Sequence, residues 1–503
     1  MSNTLLLNKY SYSTFKPAEP LTIHDINQQT VEAKYAVRGK IPIIAEGLQE
    51  LIKMSPTNHG LPFNKIINAN IGNPQQLDQK PLTWYRQVLS ILQYPELLNE
   101  PNNFPNDVKE RARNILKNVG SIGAYSHSQG APYFRSSVAE FITKRDGFPS
   151  NAQDIFLTSG ASTAVSYLLQ LLSQDENSGF LIPIPQYPLY TASIALNDSK
   201  PVGYYLDESN KWSTNPNEIR QLLKTKAKEG INIKALVVIN PGNPTGGVLT
   251  RKDMVELISI CAEYGIVLIA DEVYQENVFD GAFLSFKKVL SEMKKESPEL
   301  YKDVQLASLH STSKGVTGEC GQRGGYMELV GFKPDVREII FKLASINLCS
   351  VVSGQAMVEL MINPPKKGDE SYDTYISETN SIHDDLKERA EHLYNAFLEM
   401  EDVFVDKPQG AMYIFPKLDF KPEIYHKLFS RAKNSGLQID DVYCIELLEH
   451  TGICCVPGNG FGQRPGTYHL RTTFLPPGKE WIVRWKEFHH SFVNKYKDMT
   501  LSL

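Results

Sequence analysis

The chain has 503 residues, 41% hydrophobic and 22% charged, with a formal net charge of -5. This length excludes a minimal domain and predicts two domains, or one large domain with a smaller companion, able to bury a core without disulfides or a structural metal. The mild acidity lacks the basic footprint of a nucleic-acid binder, no run of 18 apolar residues predicts a membrane span, and the six cysteines form no C-x-x-C pair, which argues against a zinc site.

The first 35 residues contain no signal-peptide core. They hold no arginine, and Glu19, Asp25 and Glu32 are acidic. A mitochondrial transit peptide is Arg-rich and acid-poor, so a cytoplasmic location is expected. Cys454 and Cys455 lie in the apolar run 453–456 and read as small buried hydrophobes of a reduced protein.

The middle of the chain alternates short apolar runs with amphipathic segments. Residues 155–157 are apolar, then Thr158, Ser159 and Gly160 lead into a helical pattern from Ala161 to Leu172. The run 180–182 ends at Pro183, and 235–239 ends at Asn240, Pro241 and Gly242. The run 266–270 ends at Asp271 and Glu272, and 306–309 ends at His310 and Ser311. Such runs, spaced by helices, predict buried parallel strands of an α/β sheet. In open sheets of this kind ligands sit beyond the carboxyl ends of the strands. Ser159, Asn243, Asp271 and residues 311–314 are therefore expected to converge on one crevice.

The flanks differ from this middle. The tail mixes a charged helical stretch, 378–401, with short strands at 411–415 and 469–474. This predicts a large domain over 106–362. An N-terminal arm and part of a smaller α+β domain would occupy 1–105, completed by 363–503. The proline and glycine cluster at 363–368 marks the second boundary.

Four places carry chemistry. Lys314 follows a strand among the hydroxyls of Ser311, Thr312 and Ser313 and precedes glycines. A lone lysine is usually a solvated loop residue. With Arg323 and the hydroxyls making a phosphate-sized anion site, it suits a Schiff base with an aldehyde cofactor. Asp271 ends a buried strand, where a carboxylate is costly unless paired; a protonated pyridine nitrogen is a suitable partner, and a turn or helix cap is the plain alternative. Asn240 to Gly246 form a rigid turn that sets Asn243 at a strand end. Gly160 joins a strand to a helix, whose first N–H groups bind phosphate readily.

In that order, Asn-Pro-Gly-Asn-Pro-Thr-Gly (240–246), Asp-Glu-Val-Tyr (271–274) and Ser-Thr-Ser-Lys (311–314) resemble the fold-type I class I/II aminotransferases. Residues 68–75, 123–130, 183–190 and 318–326 are similar to the alanine aminotransferase subgroup, and the similarity runs from about Ala33 to near the C-terminus. The resemblance implies a large pyridoxal 5'-phosphate (PLP) domain, with a mostly parallel sheet between helices, and a smaller α+β domain. It implies that Lys314 carries PLP and shuttles a proton, and that Asp271 pairs with the ring nitrogen. Asn243 and Tyr274 would bond the ring's phenolic oxygen, and Tyr187 would stack on the ring. Ala161, Ser162, Ser311 and Arg323 would hold the phosphate, with Tyr125 arriving from the second subunit of a homodimer. Arg471 would bind the substrate α-carboxylate beside Gly72 and Asn243. Arg323 lies nine residues after Lys314, one more than in many relatives, a spacing this subgroup shares. The implied reaction is ping-pong transamination between alanine and 2-oxoglutarate, with an aromatic or kynurenine aminotransferase, or a PLP-dependent lyase, as the alternative. No metal is expected, and no second arginine is placed for the side-chain carboxylate of glutamate.

Overall fold

A seven-stranded sheet organises the chain. Its strands are β1 (Ile155–Thr158), β2 (Ser178–Ile184), β3 (Lys200–Tyr205), β4 (Asn232–Ile239), β5 (Val267–Asp271), β6 (Leu306–Ser311) and β7 (Gly325–Val330), in the spatial order β1-β7-β6-β5-β4-β2-β3. Strands β3, β2, β4, β5 and β6 are parallel, and β7 runs antiparallel to both its neighbours. The structure, a computed structural model, describes residues 20–33, 39–100 and 103–499.

The inner strands are apolar throughout because both faces of the sheet are covered. On β4, Ala235 and Val237 face a core shared with the helix Ala161–Leu172, while Leu236 and Val238 face one shared with the helices Arg251–Tyr264 and Phe286–Glu296. The helix Arg251–Tyr264 shows how sharply the sequence sets its ends. Thr250 and Asp253 form a capping box at its start, and Gly265 stops it at φ 64°.

The C-terminal part packs the helices Tyr372–Leu398, Pro422–Asn434, Ile439–Thr451 and Glu480–Asp498 around short strands at Tyr413–Ile414, Val456–Pro457 and Leu470–Thr473. The N-terminal segment joins it in two ways. Ile67–Asn68 pairs in parallel with Ile453–Cys454, and the helix Lys40–Met54 sends Ile41 and Ala45 into the same core. The helix Thr83–Gln93 instead packs with Val108, Phe134 and Met357. Among the described residues no helix is long and apolar enough to cross a membrane.

Candidate active site

Parallel strands in register bring their carboxyl ends together. Ile239 of β4 and Leu309 of β6 flank Asp271, the last residue of β5. Beyond these ends lies a cavity of about 710 Å³. Of the residues expected in the site, all but Ser159, Thr312 and Tyr125 line it. Ser159 stands behind the wall and bonds Arg323 through its carbonyl. Tyr125 lies outside the cavity and is 79% exposed.

Asp271 is buried, and its two oxygens differ. Oδ2 accepts a hydrogen bond from the Tyr190 hydroxyl at 2.9 Å, whereas Oδ1 is buried without a partner. Burial pushes this carboxyl up to about 6, against the pull of the Tyr190 bond, of the Val273 backbone N–H and of the positive charge on Lys314. A buried acceptor with nothing to accept is costly, and a cationic ring N–H facing Oδ1 relieves that cost. Tyr190 was not expected here. It follows Tyr187 by three residues, and in a sequence it reads only as a core aromatic.

The anion site is made largely by backbone. Gly160 adopts φ 82° and starts the helix Ala161–Leu172 with no side-chain cap, which leaves the first N–H groups for a ligand. Arg323, itself at φ 55°, is anchored from Nη1 to the carbonyl of Cys320 at 2.8 Å and from Nη2 to that of Ser159 at 3.1 Å. A Cβ at Gly160 would come within 2.4 Å of Arg323 Nη2, so glycine is required for the guanidinium to close on the helix end. Lys314 reaches across the cavity, its Nζ donating to the carbonyl of Gly72 at 2.7 Å.

Arg471 is 1% exposed. Its guanidinium lies between the rings of Tyr413 and Phe461, 4.3 and 4.7 Å from their centroids. It donates from Nη1 to Asn243 Oδ1 at 3.2 Å and from Nη2 to the carbonyl of Asn70, while Nε is buried without a partner. No carboxylate of the described residues pairs with it, so the structural ion pair that would explain a buried arginine is absent. The sequence did not reveal Tyr413, whose hydroxyl lies where a Cβ of Gly72 would be, 2.0 Å away. Nor did it reveal the wall formed by Pro42, Ile43 and Glu46 of the helix Lys40–Met54.

Residues 89–480 match the family model for aminotransferase class I and II. The chain is 55% identical over 500 residues to a mitochondrial alanine aminotransferase of Saccharomyces cerevisiae, covering 97% of this chain and 83% of that protein. It is 53% identical to an inactive alanine aminotransferase of the same yeast, covering 96% of each. Identity at this level therefore does not carry activity, and the site residues must. Among solved structures, an alanine aminotransferase from Pyrococcus furiosus superposes with a TM-score of 0.72 at 26% identity, covering 93% of this chain and all of that one. The expected cytoplasmic location is overturned. The relative at 55% identity and others from Dictyostelium discoideum and Arabidopsis thaliana are named mitochondrial, which points to that compartment. A scarcity of arginine in one N-terminal stretch is too weak a compositional signal to decide a destination.

Proposed function

Because the chain belongs to the class I and II aminotransferase family, and within it to the alanine aminotransferases, we propose that it exchanges the amino group of alanine with 2-oxoglutarate, giving pyruvate and glutamate, with PLP as cofactor. The observation that carries this reading is the unpaired Oδ1 of Asp271 in the same cavity as Lys314.

The residues present fit PLP. Asp271 would hold the pyridine nitrogen in its protonated form, and Arg323 with the N–H groups of Ala161 and Ser162 would hold the phosphate. Ser311 belongs to that phosphate cradle, Tyr187 to the ring face, and Asn243 and Tyr274 to the ring's phenolic oxygen. When bound, the cofactor supplies an electron sink for the carbanion that develops at the substrate α-carbon. Arg471 fixes the α-carboxylate, a fork for which its planar guanidinium is suited. Gly72 would line the carboxylate site by its backbone, the place of its missing side chain being taken by the Tyr413 hydroxyl. Lys314 Nζ would take the proton from the substrate α-carbon and return it two atoms away, to the cofactor carbon beyond the amino nitrogen, and the same residues would then act in reverse on the oxo acid, which makes the kinetics ping-pong.

The site draws on a second subunit in this reading. Tyr125 is exposed, and Ile346 and Leu348, at 71% and 52%, are exposed apolar side chains that a homodimer could bury. Sedimentation is expected to give a dimer at assay concentration. The division into a large domain over 106–362 and a smaller one from 1–105 and 363–503 belongs to the same reading. It is supported by the joint core of the helix Lys40–Met54 and the C-terminal helices, although the helix Thr83–Gln93 packs on the large side. The test of function is a screen of amino donors against 2-oxoglutarate with PLP-loaded protein. Alanine is expected to lead, and an aromatic donor in first place would replace this substrate assignment.

A further inference from the structure

His469 has no part in the proposed reaction, yet it is 2% exposed and meets a polar partner at each ring nitrogen. Nδ1 lies 3.0 Å from Oε1 of Gln463, and Nε2 lies 3.0 Å from Oε1 of Glu208. Glu208 follows β3, whereas Gln463 and His469 belong to the segment that leads into Arg471. A third residue sets which way the Gln463 amide faces. Its Nε2 donates to Oδ2 of Asp440 at 3.1 Å, and the same carboxylate accepts from the backbone N–H of Asn459 at 2.8 Å. The Gln463 oxygen therefore faces the imidazole. Both ring nitrogens meet acceptors, and both bonds are complete only when each nitrogen carries a hydrogen, in the imidazolium form.

The residues so joined enclose the arginine of the carboxylate site. Asn459 and Gln463 bracket Phe461, whose ring centroid lies 4.7 Å from the Arg471 guanidinium. The Phe461 carbonyl accepts from the N–H of Gln186, next to Tyr187, at 2.8 Å. Gly458 closes the turn: its N–H donates to the His469 carbonyl at 2.7 Å, and a Cβ there would stand 2.6 Å from Oε1 of Gln463. The imidazole stacks on Phe415 at 4.8 Å, and Phe415 meets Phe461 edge-on at 6.0 Å.

We propose that His469, as an imidazolium tied to Gln463 and Glu208, is a positioning residue that holds Phe461 against Arg471 and so keeps the guanidinium aimed at the substrate carboxylate. The inference rests on the role given to Arg471 in the proposed function. A ring that only packed against Phe415 would need no polar partner on either nitrogen. The other charged groups around it are engaged elsewhere or lie beyond a neighbour. Arg464 turns to Glu218 at 3.7 Å and to the Tyr205 ring, and Lys417, which bridges His469 by backbone, turns to Asp419. Asp406 and Lys211 lie near Glu208, Asp440 beyond Gln463, and Arg471 beyond Phe461.

Glu208→Gln keeps the shape and removes the charge. An amide in this place serves either form of the ring, accepting from an N–H or donating to a bare nitrogen, whereas the carboxylate serves only the protonated form. As pH rises and the ring gives up a hydrogen, wild type loses a bond that the variant keeps. Propionate, which is alanine without its amino group, reads the carboxylate site without turnover, by calorimetry on PLP-loaded protein. The ratio of its Kd in Glu208→Gln to that in wild type is expected to fall roughly two- to tenfold between about pH 6 and pH 9, the worth of one net hydrogen bond. Asp440, which burial pushes up to about 6, titrates in both proteins and cancels in the ratio. The KM ratio for alanine is expected to follow the same course while the kcat ratio stays constant. A Kd ratio that does not change with pH overturns the proposal and leaves the Arg471 assignment intact. Wild-type protein that binds no propionate removes that assignment and this inference together.

Discussion

Tyr190 donates its hydroxyl hydrogen to Oδ2 of Asp271 at 2.9 Å, and Oδ1 of the same carboxylate is buried with no partner. One oxygen is thus fixed by the chain, and in the proposed function the other takes the ring N–H of the cofactor. Tyr190→Phe is expected to raise the pKa of Asp271 further above about 6 and to weaken PLP binding at pH 7 by roughly tenfold, the lower range for a hydrogen bond to a charged group. Titration of the cofactor-free protein with PLP measures this, and unchanged affinity would show that Tyr190 serves only the core.

The same carboxyl gives a pH signature in cofactor-free protein. Burial raises Asp271 to about 6, and Glu272 and Glu276 to about 7. A carboxyl whose folded pKa lies above its unfolded value stabilises the fold when protonated. Its contribution is fully present below its unfolded pKa and is lost as pH rises through 6 to 7. Asp271→Asn removes its share of that loss, on the order of 3 kcal/mol. The Tm of Asp271→Asn relative to wild type is therefore expected to be higher at pH 7.5 than at pH 4.5. An equal difference at both would place no such cost on Asp271.

Gly160→Ala puts a methyl group within 2.4 Å of Arg323 Nη2, at a residue with φ 82°. Both the clash and the left-handed backbone oppose it. Arg323 must withdraw from the helix end, so PLP affinity is expected to fall at least tenfold, with a stability loss of roughly 1–3 kcal/mol. Equilibrium dialysis of PLP provides the check.

Arg471→Lys keeps the charge and loses the fork. The expected loss in kcat/KM is ten- to more than a hundredfold, about 1.5–3 kcal/mol, for alanine and 2-oxoglutarate alike. Its buried place between Tyr413 and Phe461 means that some stability is lost too. Ethylamine, an amine with no carboxylate, separates the two effects. Its slow reaction with the loaded protein is expected to be unchanged by the substitution, and an equal loss for ethylamine would make Arg471 structural.

Strands β1, β2, β4, β5 and β6 are legible in the sequence because burial on both faces makes them apolar without alternation. Strand β3 is not, since it forms the sheet edge, alternates in exposure and contains Pro201 and Gly203. Strand β7 hides behind Glu328, buried in its middle and paired with Lys287. In the site, residues carried by motifs are legible because a lysine, aspartate or glycine at a strand end calls for a reason. Tyr190 and Tyr413 are not, because a tyrosine in an apolar stretch is explained by the core alone. Only the tertiary contacts, of the Tyr190 hydroxyl with Asp271 and of the Tyr413 ring with Arg471, give them a place in the site.

In the proposed function Lys314 works on alanine in this cavity by half-reactions. A single turnover tests it: PLP-loaded protein is mixed with alanine and no oxo acid, and released pyruvate is counted per subunit. Close to one pyruvate per subunit is expected, then a halt until 2-oxoglutarate is added, and none from Lys314→Ala. Pyruvate release that continues without an oxo acid, or that survives in Lys314→Ala, would contradict it.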